Sequence, residues 1–344
     1  MKIVIMAGGI GTRFWPRSVP SRPKQFLALT SEETMIQETY RRFTRWLPRT
    51  SVYVITAAMY KTILQQQLPE LPESQLLLEP EQRDTGPCIG LTARHFLELG
   101  DDEVIVTTPS DQYIPDGRAL MQALRRAEQA AAEPGTIVTL GITPTRPETA
   151  FGYIQAKEDS DCGRGLLRVH AFMEKPSRSK AESLVLQKHV YWNSGICIWK
   201  PSTIAYYMQK HQIDTWNALT LQEEEMQQAY ARLPKVSVDY AILEKAEKIF
   251  TIPVQFEWDD VGMWTSLDRI HPHDEDGNIV QGSGSTYPFS AKTNILYIEQ
   301  GKAVVIGVED LIIVSTSDGL LVCHKSQEQQ IKHVLKAIEQ SERG

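Results

Sequence analysis

The chain has 344 residues, 42% of them hydrophobic and 23% charged, with a formal net charge of −7. That is enough apolar content for one large core or two ordinary domains, and too much for wholesale disorder. A net negative surface repels nucleic acid and anionic lipid in bulk, so neither is an expected partner, and an anionic substrate must meet a local cluster of Lys and Arg. The four cysteines, Cys88, Cys162, Cys197 and Cys323, lie far apart with no CxxC pair. Reduced cytosolic thiols are expected, not a disulfide framework or a zinc knuckle. The apolar run at residues 3–7 is too short for a signal peptide, and no run approaches a membrane span. A cytoplasmic protein is expected.

In chain order, residues 3–7 read as a buried strand that enters a glycine-rich loop. Ile36, Tyr40, Phe43 and Leu47 recur at helical spacing. Residues 52–56 form a second strand, 58–68 a helical stretch, 76–78 a short third strand, 89–99 a helix, 104–106 a fourth strand, 118–132 an alanine-rich helix and 137–140 a fifth strand. This alternation predicts an α/β, Rossmann-like, mostly parallel sheet with helices on both faces. Ligands of such sheets sit beyond the carboxyl ends of the strands. Further on, 153–157, 167–173, 191–199 and 250–256 look like strands, and Ser237 is placed to cap a helix over 239–246. Residues 271–288, rich in Gly, Ser, His, Asp and Pro, read as a linker. Short β-like pieces at 295–298, 303–307, 312–315 and 320–323 precede a closing helix over 327–339. A boundary near residue 275 divides the chain into 1–275 and 276–344, and no internal repeat is evident.

The loop after the first strand is the most informative stretch. Gly8, Gly9 and Gly11 let backbone N–H groups approach an anion closely, and Arg13 and Lys24 add fixed positive charge suited to a polyphosphate. A Walker loop needs Gly-Lys-Ser/Thr, which is absent, and a dinucleotide fingerprint starting at Gly9 needs Gly or Ala where Phe14 stands. A purely structural turn is the alternative. His271-Pro272-His273-Asp274-Glu275-Asp276 invites a metal reading, but no second ligand set is spaced to complete it. Trp192, Trp199, Trp258 and Trp264 fit core positions better than a ligand platform.

Gly8-Gly9-Ile10-Gly11-Thr12-Arg13, then Pro16, then Pro23-Lys24-Gln25, resembles the signature of the sugar nucleotidylyltransferases. Gln25 with Phe26-Leu27 is similar to the mannose-1-phosphate guanylyltransferase branch. The resemblance continues in order along nearly the whole chain. It includes Glu79-Pro80 with Arg83-Asp84-Thr85 and Pro87, Pro109-Ser110-Asp111, the 141–149 segment with Gly152-Tyr153-Ile154, and Phe172-Met173-Glu174-Lys175-Pro176. Trp192-Asn193-Ser194-Gly195-Ile196, Ser237-Val238-Asp239-Tyr240 and Trp258-Asp259-Asp260-Val261-Gly262 complete it. Departures are Asp84 for the usual Asn, Gln112 for His, Ala150-Phe151 for Gly-Tyr and Met263 for Ser. They touch base and sugar preference more than the type of reaction.

The resemblance implies transfer of GMP from GTP to mannose 1-phosphate, giving GDP-mannose and pyrophosphate by in-line attack on the α-phosphorus. Two anions must be brought together, so charge neutralisation and positioning dominate. Arg13, Lys24 and Lys175 are the implied catalytic residues. Ala7, Gly8, Gly9, Gly11, Thr12, Arg13, Lys24, Glu79, Thr85, Pro87 and Ser110 are implied to bind the nucleotide, and Gly152, Glu174, Lys175 and Asn193 the sugar phosphate. Asp111 and Asp260 are implied to hold Mg²⁺, a hard cation that takes one or two carboxylates plus phosphates. Glu79 suits the guanine N1 and N2 donors, but backbone groups over 85–87 suit them equally. A small C-terminal β-helix-like domain, assembly as a homodimer, and no appended isomerase domain are also implied. A nucleotidylyltransferase for another sugar or base, and a non-catalytic sugar-nucleotide-binding regulator, are the alternatives. The regulator is disfavoured because Arg13, Lys24, Asp111 and Lys175 are all present.

Overall fold

The computed structural model describes residues 1–9, 11–161 and 165–342, without the side chains of 158–161 and 342. Ile10 and Cys162, named above, lie outside the described residues. The chain divides into two compact units. One comprises Met1–Gly8, Thr39–Ser110 and Ile114–Trp258; the other comprises Gly9–Glu38, Asp111–Tyr113 and Asp259–Gly344.

The first unit is built on a nine-stranded sheet of β1 (Lys2–Ala7), β2 (Val52–Ala57), β3 (Leu76–Glu79), β4 (Ile105–Pro109), β5 (Ile137–Ile142), β6 (Tyr153–Asp161), β7 (Leu167–Met173), β8 (Val190–Trp199) and β9 (Ile249–Val254). Their order is β3-β2-β1-β4-β8-β5-β9-β7-β6. The sheet is mixed. The pairs β3–β2, β2–β1, β1–β4 and β5–β9 are parallel, whereas β8 runs antiparallel to both β4 and β5, and β7 antiparallel to β9 and β6.

Successive residues of a strand face opposite sides, yet every residue of β2 and β5 is buried, so both faces are covered. The helices are α1 (Met35–Thr44, which crosses between the units), α2 (Lys61–Gln67), α3 (Thr85–Glu98), α4 (Gly117–Ala131), α5 (Arg178–Val185), α6 (Pro201–His211), α7 (Ile213–Leu219), α8 (Glu223–Tyr230) and α9 (Val238–Ala241). Val4, Ile55, Ile105 and Trp199 share a core with Phe96 of α3, Met208 of α6, Leu219 of α7 and Tyr230 of α8. Helix α4 packs on β5, β8 and β9 through an amphipathic stripe of Leu120, Leu124, Ala127 and Ala131. Its start is capped by Asp116, whose carboxylate accepts from Ala119 N at 2.9 Å.

Ser237 occupies the cap position before α9, but its hydroxyl makes no hydrogen bond. The helix ends after four residues and gives way to a 3₁₀ turn at Leu243–Lys245, instead of continuing to 246 as expected.

The second unit carries β10 (Ile279–Gln281), β11 (Ser285–Phe289), β12 (Ile295–Ile298), β13 (Lys302–Ile306), β14 (Leu311–Thr316), β15 (Gly319–His324) and α10 (Ile331–Glu342). Strands β10, β12 and β14 stack in parallel with Ile279, Ile295 and Ile312 in register, and β11 pairs in parallel with β13. These are the stacked coils of a β-helix. Buried Asn278 and Asn294 link successive turns: Asn294 Nδ2 donates to Asn278 Oδ1 at 3.0 Å, and Leu311 N to Asn294 Oδ1 at 2.9 Å.

The expected linker over 271–288 is instead structured. Asp274 accepts from the backbone of Asp276 and Asn278, which turns the chain into β10, and β11 follows within the same stretch. The unit's core joins Phe14, Leu27, Leu29 and Met35 to Trp264, Ile279, Ile295, Ile312 and Ile331. The N-terminal loop segment therefore shares one core with the C-terminal coils. No helix among the described residues is long and apolar enough to cross a membrane.

Candidate active site

In the second unit the chain leaves the glycine loop through two 3₁₀ turns, Thr12–Phe14 and Lys24–Phe26. Gly11 adopts φ 70°, and a Cβ there would lie 2.3 Å from Lys24 Cβ, so no other residue fits without displacing the lysine. Phe14 is fully buried against Trp264, with ring centroids 5.2 Å apart. Arg13, between Thr12 and Phe14, stays half-buried.

Lys24 is 5% exposed. A buried ammonium must be paired and hydrogen-bonded. Its Nζ donates to Asp111 Oδ2 at 2.8 Å, to Asp111 O at 3.0 Å and to Asp260 O at 2.7 Å. Lysine and both predicted metal ligands thus converge, although they come from three separate segments. Neighbouring Asp259 is 4% exposed and paired with Arg269 at 2.7 Å, which separates its structural duty from that of Asp260. Val261 has φ 48°, and a Cβ on Gly262 would lie 2.7 Å from Asp260 Oδ2, so the turn is folded closely around that carboxylate.

In the first unit two clusters form. One lies at the ends of β1 and β3. Thr56 Oγ1 donates to Ala7 O at 2.7 Å, and Gln82 Nε2 donates to Gly8 O. Glu79 is 3% exposed, and its Oε1 accepts from Tyr230 OH at 2.7 Å. Burial pushes the Glu79 carboxyl up to about 7, against the pull of its hydrogen bonds with Tyr230 and Cys88. Asp84, at φ 68°, caps α3 by accepting from Thr85 N at 2.7 Å, and Thr85 Oγ1 accepts from Val238 N at 2.8 Å. Pro87 sits in the first turn of α3. Ser110 is buried as a backbone anchor: its N donates to Met6 O at 3.1 Å and its O accepts from Thr39 Oγ1 at 3.0 Å.

The other cluster gathers Gly152, Glu174, Lys175 and Asn193. A Cβ on Gly152 would lie 2.7 Å from Glu174 Oε2. Asn193 N donates to Gly152 O at 2.8 Å. Asn193 is oriented from both ends of its amide, since Nδ2 donates to Asp239 Oδ1 at 2.9 Å and Oδ1 accepts from Gly195 N at 3.1 Å. Lys175, at φ 45°, reaches Glu174 at 2.7 Å, with its side chain 60% exposed. Burial, followed by the Glu174 charge, raises the Asp239 carboxyl to about 6.

Residues 2–277 match the nucleotidyl transferase family model, and residues 289–338 match the mannose-phosphate isomerase/GMP-like β-helix domain. The chain belongs to the nucleotidyl transferase family. It is 35% identical to the alginate biosynthesis protein AlgA of Pseudomonas aeruginosa, over 98% of this chain and 72% of that protein. It is 33% identical to the mannose-1-phosphate guanylyltransferase of Klebsiella pneumoniae, over 99% of this chain and 74% of that one. A crystal structure from Thermus thermophilus, named mannose-1-phosphate geranyltransferase, superposes with a TM-score of 0.89 at 32% identity, covering 98% of this chain and 99% of that one.

For this nucleotidyl transferase, sequence reasoning omitted three residues that touch predicted ligand groups: Tyr230 and Cys88 beside Glu79, and Asp239 beside Asn193. Only Asp239 had a sequence signal, through its place in the Ser237–Tyr240 motif. No group of three or more His, Cys, Asp or Glu residues suited to a metal occurs among the described residues. The histidine-rich stretch is structural, with His271 Nε2 2.6 Å from Leu29 O. Trp192, Trp199, Trp258 and Trp264 are all buried in the core.

Proposed function

We propose that the chain is a mannose-1-phosphate guanylyltransferase, transferring GMP from GTP to α-D-mannose 1-phosphate with release of pyrophosphate. Family membership, and the names of relatives matched along nearly all of this chain, support the reaction class and both substrates. The observation that carries it is the buried Lys24 ammonium, held by Asp111 and the Asp260 carbonyl on the segment that follows the glycine loop. This supplies a fixed cation held by the Asp111 carboxylate and the Asp260 carbonyl, with the Asp260 carboxylate borne on the same residue, a donor set suited to polyphosphate transfer.

In this reading Gly8, Gly9 and Gly11 offer backbone N–H groups to the triphosphate, and Arg13 and Lys24 neutralise it. Glu79, with the start of α3 at Thr85 and Pro87, meets the base. Glu174 and Asn193 orient the sugar hydroxyls, and Lys175 pairs with the sugar phosphate, whose oxygen attacks the α-phosphorus. Asp111 and Asp260 are hard oxygen donors of the kind Mg²⁺ takes, and they are the residues that would hold it. When bound, Mg²⁺ neutralises phosphate charge and steadies the leaving pyrophosphate.

The catalytic and C-terminal domains divide near residue 275, a reading supported by the change of family model between 277 and 289. A cytoplasmic homodimer completes the proposal. Buried free thiols at Cys88 and Cys197 suit a reducing compartment. Tyr287, Phe289, Val304 and Ile306, exposed on β11 and β13, are apolar in a way that suits burial by a second copy. The test is pyrophosphate release across a panel of triphosphates and sugar 1-phosphates with Mg²⁺. GTP with mannose 1-phosphate should be the preferred pair; no release from that pair overturns the reading.

A further inference from the structure

Helix α8 is largely exposed and buries only Met226 and Tyr230. Tyr230, fully buried, closes the helix by donating its hydroxyl to Glu79 Oε1 at 2.7 Å. The other carboxylate oxygen is turned toward the glycine loop, since a Cβ on Gly8 would lie 3.8 Å from Oε2. One oxygen is therefore held from behind and the other is presented beside the loop. Packing alone does not require this: a Phe would fill the same volume without giving Glu79 a donor.

We propose that Tyr230 is a positioning residue for base selection, whose hydroxyl, donating to Oε1, orients the Glu79 carboxylate as the acceptor for the N1–H and N2–H edge of guanine. This rests on the reading that Glu79 meets the base. An ionised carboxylate has about four acceptor sites, so Tyr230 and Cys88 together still leave room for both guanine donors. Adenine offers an acceptor at N1 and a donor at N6, which suits a neutral carboxylic acid instead. Base preference should thus follow the proton on Glu79. The groups facing that carboxyl are Tyr230, Cys88 and Asp84, and Arg83 faces Tyr230. Burial and the Asp84 charge favour the proton, while Tyr230 and Cys88 oppose it, leaving the carboxyl titrating near neutrality in the free protein. As pH falls through that range, preference for guanine should decline. With the Tyr230 hydroxyl gone, the decline should begin at higher pH.

The test measures calorimetric dissociation constants for GTP and ATP across about pH 6 to 9, spanning that titration. It compares wild type with Tyr230→Phe, Glu79→Gln, the double variant, and Tyr207→Phe as a control. Tyr207 is equally buried, but its hydroxyl donates to Gly135 O at 3.1 Å. Tyr230→Phe should lower the GTP-over-ATP ratio about tenfold or more near neutral pH, the loss expected for one charge-assisted bond, and the ratio should recover in alkali. Glu79→Gln should lower it at every pH, Tyr230→Phe should add nothing on that background, and Tyr207→Phe should leave it unchanged. Replacing Tyr230 by a fluorotyrosine keeps the fold and strengthens the donor, so the acid limb should move to lower pH. A wild-type ratio and pH profile in Tyr230→Phe, alongside a full Glu79→Gln effect, would remove Tyr230 from base selection. An unchanged ratio in Glu79→Gln would overturn both the base assignment and the proposal. Failure of the mannose reaction would show in turnover alone, since these binding ratios need no sugar.

Discussion

Lys24 and Lys175 carry the same charge at two predicted phosphate positions, in opposite settings. The Lys24 side chain is 6% exposed and has three oxygen acceptors; the Lys175 side chain is 60% exposed and has Glu174 beside it. A buried charge is tolerated only when fully paired, so Lys24 is part of the fold as well as of the proposed chemistry. An exposed pair such as Glu174–Lys175 contributes little to stability and leaves the ammonium able to change partner. The predicted triphosphate position is thus rigid and the predicted sugar-phosphate position adjustable.

Removing residues 276–344 should break this contrast most severely. It strips Ile279, Ile295, Ile312 and Ile331 from the core that holds Phe14 and Leu27 on either side of Lys24. We expect loss of cooperative melting and of GTP binding; a stable truncated protein with native GTP affinity would show that Lys24 is not held this way.

Next in size is Lys24→Ala. Turnover should fall about a hundredfold or more, with a loss of about 2–3 kcal/mol in urea unfolding, less than for a fully buried pair because Asp111 is partly exposed. Wild-type unfolding would end the claim that this lysine is structural. Asp111→Asn and Asp260→Asn should each lower turnover severely and alter its dependence on Mg²⁺ while the protein stays folded, because an anionic oxygen is lost and not packing. An unchanged Mg²⁺ titration in both would remove them from the metal site. Lys175→Ala should raise KM for mannose 1-phosphate about tenfold to a hundredfold and leave melting untouched. An equal shift in the GTP curve would erase the division between the two lysines.

The smallest effect concerns Asp239. Its carboxyl is raised to about 6, above its value in an unfolded chain, so the native state binds the proton more tightly than the unfolded state does. Stability from this group is therefore greatest at low pH and declines as pH rises through about 6. Asp239→Asn should flatten that decline, checked by melting temperature against pH; parallel curves for the two proteins would refute it.

The strands of the parallel half were legible because each is a short, mostly apolar run, buried throughout in β2 and β5. The antiparallel course of β8 between β4 and β5 was not, since periodicity carries no strand direction. Helices α5, α6, α7 and α8 were all missed; α5 and α8 each bury only two side chains in a polar sequence. The β-helix repeat is too short and irregular to recognise until Ile279, Ile295 and Ile312 are seen stacked. In the site, Lys24, Asp111 and Asp260 were each proposed from their own motif, and their meeting at one ammonium was not readable from spacing. Tyr230 left no trace at all, being one aromatic at the end of a helix rich in Glu and Gln.

The shared core of the glycine-loop segment and the terminal coils bears on how such proteins can be recombined. Trp15 lies so close to Gly319 that a Cβ there would come within 2.6 Å of its ring. Arg17 stacks 4.0 Å over Tyr297, and Arg22 pairs with Asp318 at 3.2 Å. A chimera that exchanges only the tail between two relatives would splice foreign coils onto a native loop and mismatch each of these contacts. The heritable unit is discontinuous: residues 9–38 and 111–113 must travel with 259–344, and a breeder of hybrid enzymes should cut at the edges of all three segments and not at the single visible seam.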